Sequence, residues 1–246
     1  MMLLASFTTL SAQVKVIAHR GYWTTEGSAQ NSIASILKAN EIKAYGSEFD
    51  VWLSKEGELY VNHDRMFKGI DIYADSYKEI RAVKLKNGEP IPTLKEFLKA
   101  SKKHTDLRLI LEMKSLPTPE EENAAVGKIV KAVKKYKLLE RTDFIAFSMH
   151  ACLAFRTLLP EAHIYYLGSD EIPQKIKGLG LTGIDYSMKS LKAHPEWIEQ
   201  AHQLGLKVNV WTVNKEKDMR YFIAQGVDFI TTNEPELLQR MISEGK

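Results

Sequence analysis

Two features of this 246-residue chain predict a single (β/α)8 TIM barrel with a longer insertion after strand 2: eight short strand-like runs each followed by a helical run, and no linker anywhere between them. Barrels of roughly 250 residues are routinely one domain. The competing architecture, an open doubly wound sheet, commonly carries a Gly-rich phosphate loop after its first strand. No such loop follows residues 14–18.

The strand-like runs are 14–18, 45–51, 107–113, 144–147, 164–167, 183–186, 207–212 and 228–231, each rich in β-branched or aromatic residues. After the first, Ile33, Ile36 and Leu37 recur at helical spacing. The second is followed by a long connection, 51–102, with a hairpin over 59–62 and a Gly/Asp/Tyr-rich loop. Its closing helix starts at Thr93-Leu-Lys-Glu96, a capping box. Extra length after a barrel strand lies on the face where barrel active sites sit. Thr118-Pro-Glu-Glu121 is a second capping box with Pro at the first helical position, and Val126, Ile129, Val130 and Val133 continue that helix. Cys152 sits on a buried helix face over 151–155. Met219, Phe222 and Ile223 make one later helix; Leu237, Leu238, Met241 and Ile242 make the last. Gly180, Gly205 and Gly226 stop helices ahead of strands.

Hydrophobic residues are 44% of the chain, enough for a sizeable core. With 34 Lys+Arg against 31 Asp+Glu the formal charge is only +3, which argues against a nucleic-acid partner. The lone cysteine excludes an internal disulfide and a four-cysteine zinc site. No apolar run reaches the ~18 residues of a bilayer span, so stable membrane insertion is not expected. Residues 1–10 are apolar and uncharged, and Ser11-Ala12-Gln13 follows. Residues 1–13 therefore read as a signal peptide without its basic start, or as a plain N-terminal extension. The first, favoured, sends the barrel domain 14–246 to the periplasm or outside the cell; the second leaves it cytoplasmic. The sequence specifies no oligomeric state.

In a barrel, functional residues belong at the C-terminal ends of strands. His19-Arg20, Glu48-Phe49-Asp50, Glu112-Met113-Lys114 and Asn209-Val210-Trp211 end runs one, two, three and seven, and His63-Asp64 follows the hairpin. Alternate strand residues share a face, so Glu48 and Asp50 point together, with Phe49 turned toward the helices. Glu112 and Lys114 do the same on the neighbouring strand. Three converging carboxylates form a hard-oxygen set for one divalent cation, Mg²⁺ or Ca²⁺. Ordinary rim ion pairs with Lys114 and Arg20 would explain Glu48 alone, but not the whole set. His19 and His63 are the two histidines at this mouth, with ordinary pKa values suited to a general acid and base. The other five read as structural. Arg20 offers a fork and Lys114 a point charge to an anion, phosphate above all. The Lys-rich stretch 128–137 reads as a solvated helix face.

These residues, in this order, resemble the glycerophosphodiester phosphodiesterase family: His19-Arg20-Gly21, Asn31-Ser32, Glu48-x-Asp50, His63-Asp64 and Glu112-x-Lys114. Residues 210–214 (Val-Trp-Thr-Val-Asn) and 226–231 are similar to its closing motifs, and the resemblance covers about 14–238. It implies metal-dependent hydrolysis of a small-molecule glycerophosphodiester to sn-glycerol 3-phosphate and an alcohol. His19 and His63, with Arg20, would be catalytic. Glu48, Asp50 and Glu112 would hold the cation. Arg20, Lys114 and Trp211 would bind substrate, Trp211 on the glycerol side. Two positions depart from the pattern. Gln30 replaces a usual Glu, removing a carboxylate near the expected metal site. Asn233 replaces a usual Asp and is expected to cap the last helix. The insert 21–28, with Tyr22, Trp23 and Glu26, is distinctive and is expected to shape the pocket. The rival readings are a phospholipase C- or D-like enzyme on the same barrel, marked by exposed apolar residues round the mouth, and a head-group binding protein without turnover, which would lack a histidine or the acids.

Overall fold

Alternating inward and outward packing begins at once: Lys15–Ala18 (β1) is buried from its second residue on. The structure, a computed structural model, describes residues 13–244; the expected leader lies outside them except for Gln13. Ser32 caps Ile33–Glu41 (α1), which leads to Gly46–Leu53 (β2). The insertion follows: Leu59–Val61 (β3), the short pair Met66–Phe67 (β4) and Ile70–Asp71 (β5), and Tyr77–Ala82 (α2). Then come Leu94–His104 (α3), Arg108–Met113 (β6), Pro119–Lys135 (α4), Thr142–Ala146 (β7), Met149–Leu158 (α5), His163–Tyr166 (β8) and Pro173–Gly178 (α6). Gly183–Ser187 (β9), Met188–Ala193 (α7), Glu196–Gln203 (α8), Lys207–Trp211 (β10), Glu216–Ala224 (α9), Phe229–Thr232 (β11) and Pro235–Glu244 (α10) complete it.

Eight parallel strands close the ring in the order β1, β2, β6, β7, β8, β9, β10, β11, with β1 pairing both β2 and β11. Each expected strand is present, and no end moves by more than two residues. β2 runs past Asp50 to Leu53 because its last residues pair antiparallel with β3.

Two apolar layers hold the ring. Outside it, strand residues meet helices: Phe49 packs on Phe97 at 4.5 Å between ring centres, and Phe144 on Phe155 at 4.7 Å. Inside it, Ile17, Ile110, Ile145, Tyr165 and Phe229 fill the barrel. The insertion carries its own small core of Tyr60, Ile72, Ile80 and Ile91. Each such burial stabilises by about 1.5–3 kcal/mol. Gly183 has a packing reason: a Cβ there would lie 2.1 Å from the Lys207 carbonyl oxygen on the next strand.

The caps match in part. Thr93 and Glu96 form the reciprocal box, and an unexpected one, Ser76 with Glu79, opens α2. At α4 only half forms: Thr118 accepts from the Glu121 amide, but the Glu121 carboxylate takes the Tyr73 hydroxyl. No described helix is long and apolar enough to cross a membrane.

Candidate active site

The pairing of β2 with β6 sets Asp50 beside Glu112. With Glu48 two residues earlier on the same face, the three buried carboxylates each bring an oxygen within 4.8 Å of the others. Lys114 Nζ bridges two of them, 2.7 Å from Asp50 Oδ1 and 2.6 Å from Glu112 Oε1. The Arg20 amide donates to Glu48 Oε2 at 2.8 Å, and its guanidinium lies 3.7 Å from Asp50 Oδ2. Arg20 and Gly21 turn the chain here with positive φ angles of 56° and 76°, and a Cβ on Gly21 would meet Ser35 Oγ at 2.2 Å. Asn31, fully buried, grips Asp50 twice: its Nδ2 donates to Oδ2 at 2.7 Å and its Oδ1 accepts from the Asp50 amide at 3.1 Å. Gln30 does not face the acids. Its Oε1 accepts from Arg20 Nη1 at 2.7 Å, so the amide serves the arginine.

Crowded buried carboxylates resist ionisation. Burial first, then Asp50 and Glu112, push Glu48 well above the usual carboxylate range. Burial and Asp50 push Glu112 up to about 8. For Asp50 burial acts upward too, but Lys114, His63 and Arg20 outweigh it and hold the group at about 2. Glu48 Oε1 is buried without a hydrogen-bond partner. Such an orphan ordinarily costs about 1–3 kcal/mol, more when charged. Asp50 Oδ1 and Glu112 Oε1 have Lys114 alone as partner and Glu48 Oε1 has none, a set that fits a hard divalent cation, whose charge would offset the repulsion and partner the orphan.

The two histidines stand over this cluster. His19 Nδ1 meets Asn233 Oδ1 at 2.7 Å, and its Nε2 lies 4.0 Å from Glu48 Oε2. His63 Nδ1 meets Asp64 Oδ1 at 2.7 Å, and its carbonyl accepts from the Trp52 indole at 3.1 Å. In both rings an oxygen takes Nδ1–H, leaving the Nε2 lone pair for chemistry. Burial, then the Arg20 charge, lowers His19 to about 4. Burial also lowers His63, helped by Lys114 and Arg20 against Asp50. The expected capping role of Asn233 is not what its side chain does. It reaches across to His19, while Thr232 Oγ1 accepts from the Glu234 amide at the helix entrance. Only β11 lying beside β1 makes this contact possible, so residue order could not show it.

Two cavities open at this face. A small one, about 90 Å³, is walled by His19, Glu48, His63, Glu112, Phe147 and Trp211, among others. Trp211 is fixed there by an indole bond to the Asp185 carbonyl at 2.9 Å and an edge-on contact with Phe147. Asp185, raised to about 7 chiefly by burial, also lines it. It was not singled out from sequence, although an acid inside an apolar strand run was a signal. A larger cavity, about 670 Å³, is walled by Trp23, Glu26, Gln30, His63, Phe67 and Lys86, among others. The insert 21–28 thus does line a pocket, beside the small cavity rather than in it.

Comparison with known proteins agrees with this geometry. Residues 19–237 match the Glycerophosphoryl diester phosphodiesterase family. A glycerophosphodiester phosphodiesterase from Caldanaerobacter subterraneus is 31% identical over 248 residues, covering 94% of this chain and 98% of that one. A crystal structure of a glycerophosphodiester phosphodiesterase from Parabacteroides distasonis shares 48% identity, with a TM-score of 0.93 over 95% of this chain and 99% of the other. An Oleispira antarctica phosphodiesterase, solved with the product sn-glycerol-3-phosphate, is 23% identical, with a TM-score of 0.80 over 94% and 97% of the two chains, and shares the fold.

Proposed function

The chain belongs to the glycerophosphoryl diester phosphodiesterase family, and from that premise we propose that it hydrolyses glycerophosphodiesters to sn-glycerol 3-phosphate and an alcohol by histidine acid–base catalysis. The observation that carries this reading is the triad Glu48, Asp50 and Glu112, buried within 4.8 Å of one another under two imidazoles with free Nε2 atoms.

Glu48, Asp50 and Glu112 would hold a divalent cation, Mg²⁺ or Ca²⁺, which would supply positive charge against that growing on the phosphoryl oxygens. Arg20 and Lys114 add fixed positive charge beside it, preorganised by their contacts to Asp50 and Glu112. One imidazole takes the proton of the attacking hydroxyl, either water's or that of the substrate's own glycerol, the latter giving a cyclic phosphate that water then opens. The other protonates the leaving alkoxide. Trp211 walls the small cavity as the apolar side of the glycerol site. Residues 1–10, apolar and uncharged, support a periplasmic or secreted destination for residues 14–246, which form the family domain.

Purified protein should release glycerol 3-phosphate from glycerophosphocholine and glycerophosphoethanolamine. Absence of turnover on every glycerophosphodiester overturns the reading. A second reading, action on intact lipid, draws on Met66, Phe147 and Ile172, exposed apolar side chains in connections that follow barrel strands β2, β7 and β8. Scattered single exposed apolar residues are ordinary, so this reading ranks second. Phospholipid vesicles assayed in parallel separate the two: faster turnover of the vesicles would favour it.

Asn233 belongs to the machinery as a positioning residue. Asn233→Ala removes the acceptor for His19 Nδ1 and should lower kcat about tenfold with KM little changed, as for lost partners of functional imidazoles. Asn233→Asp keeps an acceptor and should retain turnover. Equal kcat in all three proteins would remove Asn233 from the mechanism.

A further inference from the structure

We propose that the larger cavity is the subsite for the leaving alcohol, and that it favours alcohols bearing a positively charged amine or quaternary ammonium group. The inference rests on the phosphodiesterase reading above and extends it to substrate choice.

Position comes first. Among the described residues, His63 is the one that walls both cavities. A phosphodiester joins two alcohols through one phosphorus, so a phosphate beside His63 sends one ester arm into each space. The small cavity, about 90 Å³, matches about three waters and suits a three-carbon glycerol. The second arm needs the room of the 670 Å³ cavity.

The chemistry of the wall comes next. Trp23 and Phe67 bring aromatic rings, and Glu26 and Asp64 bring two carboxylates against the single cation Lys86. Glu26 makes no ion pair or side-chain hydrogen bond among the described residues, so its charge is free to act on a ligand. Asp64 is already engaged with His63. Aromatic faces with an adjacent carboxylate attract ammonium groups. The Trp23 indole N–H, buried without a hydrogen-bond partner, is a donor left for a ligand oxygen. Threonine, serine, asparagine and glutamine supply much of the remaining wall, a poor surface for an acyl chain.

The test uses the full-length enzyme and steady-state kinetics on three substrates: glycerophosphocholine and glycerophosphoethanolamine, with cationic leaving alcohols, and glycerophosphoglycerol, with a neutral one. Glu26→Gln should raise KM for the two cationic substrates about twofold, and Glu26→Lys about fivefold or more, leaving glycerophosphoglycerol within about twofold. Trp23→Leu should show the same bias. Glu26 is exposed, so its variants remain informative even if Trp23→Leu fails to fold. Equal losses on all three substrates, or no change with Glu26→Lys, would overturn the subsite while leaving the phosphodiesterase reading intact. An unaltered enzyme inactive on all three would overturn that reading and the subsite with it.

Discussion

Replacing His19 or His63 by alanine is expected to lower kcat by about 10²–10⁴-fold, the usual worth of a positioned acid or base. Each ring has one job that nothing nearby can assume. His19 Nε2 lies 4.0 Å from Glu48 Oε2 and His63 walls the small cavity with Glu48 and Glu112, while both Nδ1 atoms are held by oxygens of Asn233 and Asp64. The other titratable groups close to them are the acids and the two cations of the same cluster. Neither histidine is a core residue: their side chains are 18% and 36% exposed, so truncation should cost little stability. Thermal unfolding therefore separates lost chemistry from lost fold. The double variant should be scarcely worse than the singles, because acid and base act on one transition state. Normal turnover in both single variants would remove the acid–base assignment.

Chelation and Glu48→Gln have the second largest expected effect: chelation lowers activity and stability together, whereas Glu48→Gln moves them in opposite directions. EDTA should abolish turnover, and adding Mg²⁺ and Ca²⁺ separately to stripped enzyme should identify the working ion. Glu48→Gln should cost turnover in the loaded enzyme, because an amide is a weaker ligand for a hard cation. In the stripped protein the same change should raise the melting temperature. The reason is the raised pKa of Glu48: burial and its two acidic neighbours oppose its charge, and a neutral amide relieves that opposition. Loading the unaltered enzyme should stabilise it as well, by about 2.7 kcal/mol at a cation concentration 100 times Kd. An unfolding curve indifferent to EDTA and cation alike would deny that the triad is a metal site.

Most of the fold was legible because its signals are local. Eight strand runs and the Thr93 box depend on residues a few positions apart, and they hold to within two residues. Thr118 shows where locality fails. Its amide half forms as the pattern demands, but Glu121 is drawn to Tyr73, 48 residues away. The short β4–β5 pair and α2 carry too few residues for a periodic signal, and they are held by the small core under Tyr60.

The gathering of the candidate site residues was legible for a related reason. A strand alternates faces, so Glu48 with Asp50, and Glu112 with Lys114, announce shared faces from spacing alone, and barrel strands deliver their ends to one mouth. What residue order determined by itself was therefore the barrel, the family, and which acids, cations and histidines gather at one mouth. Tertiary structure alone decided how these groups are held and what surrounds them. Asn233 meets His19 across 214 positions, Asn31 turns back to grip Asp50, and Gln30 serves Arg20 rather than the acids. The insert 21–28, β4 at Phe67 and the loop at Lys86 enclose a second cavity whose only shared wall, among the described residues, is His63. Such contacts arise when ring closure brings distant loops together, and no local spacing encodes which partners then meet.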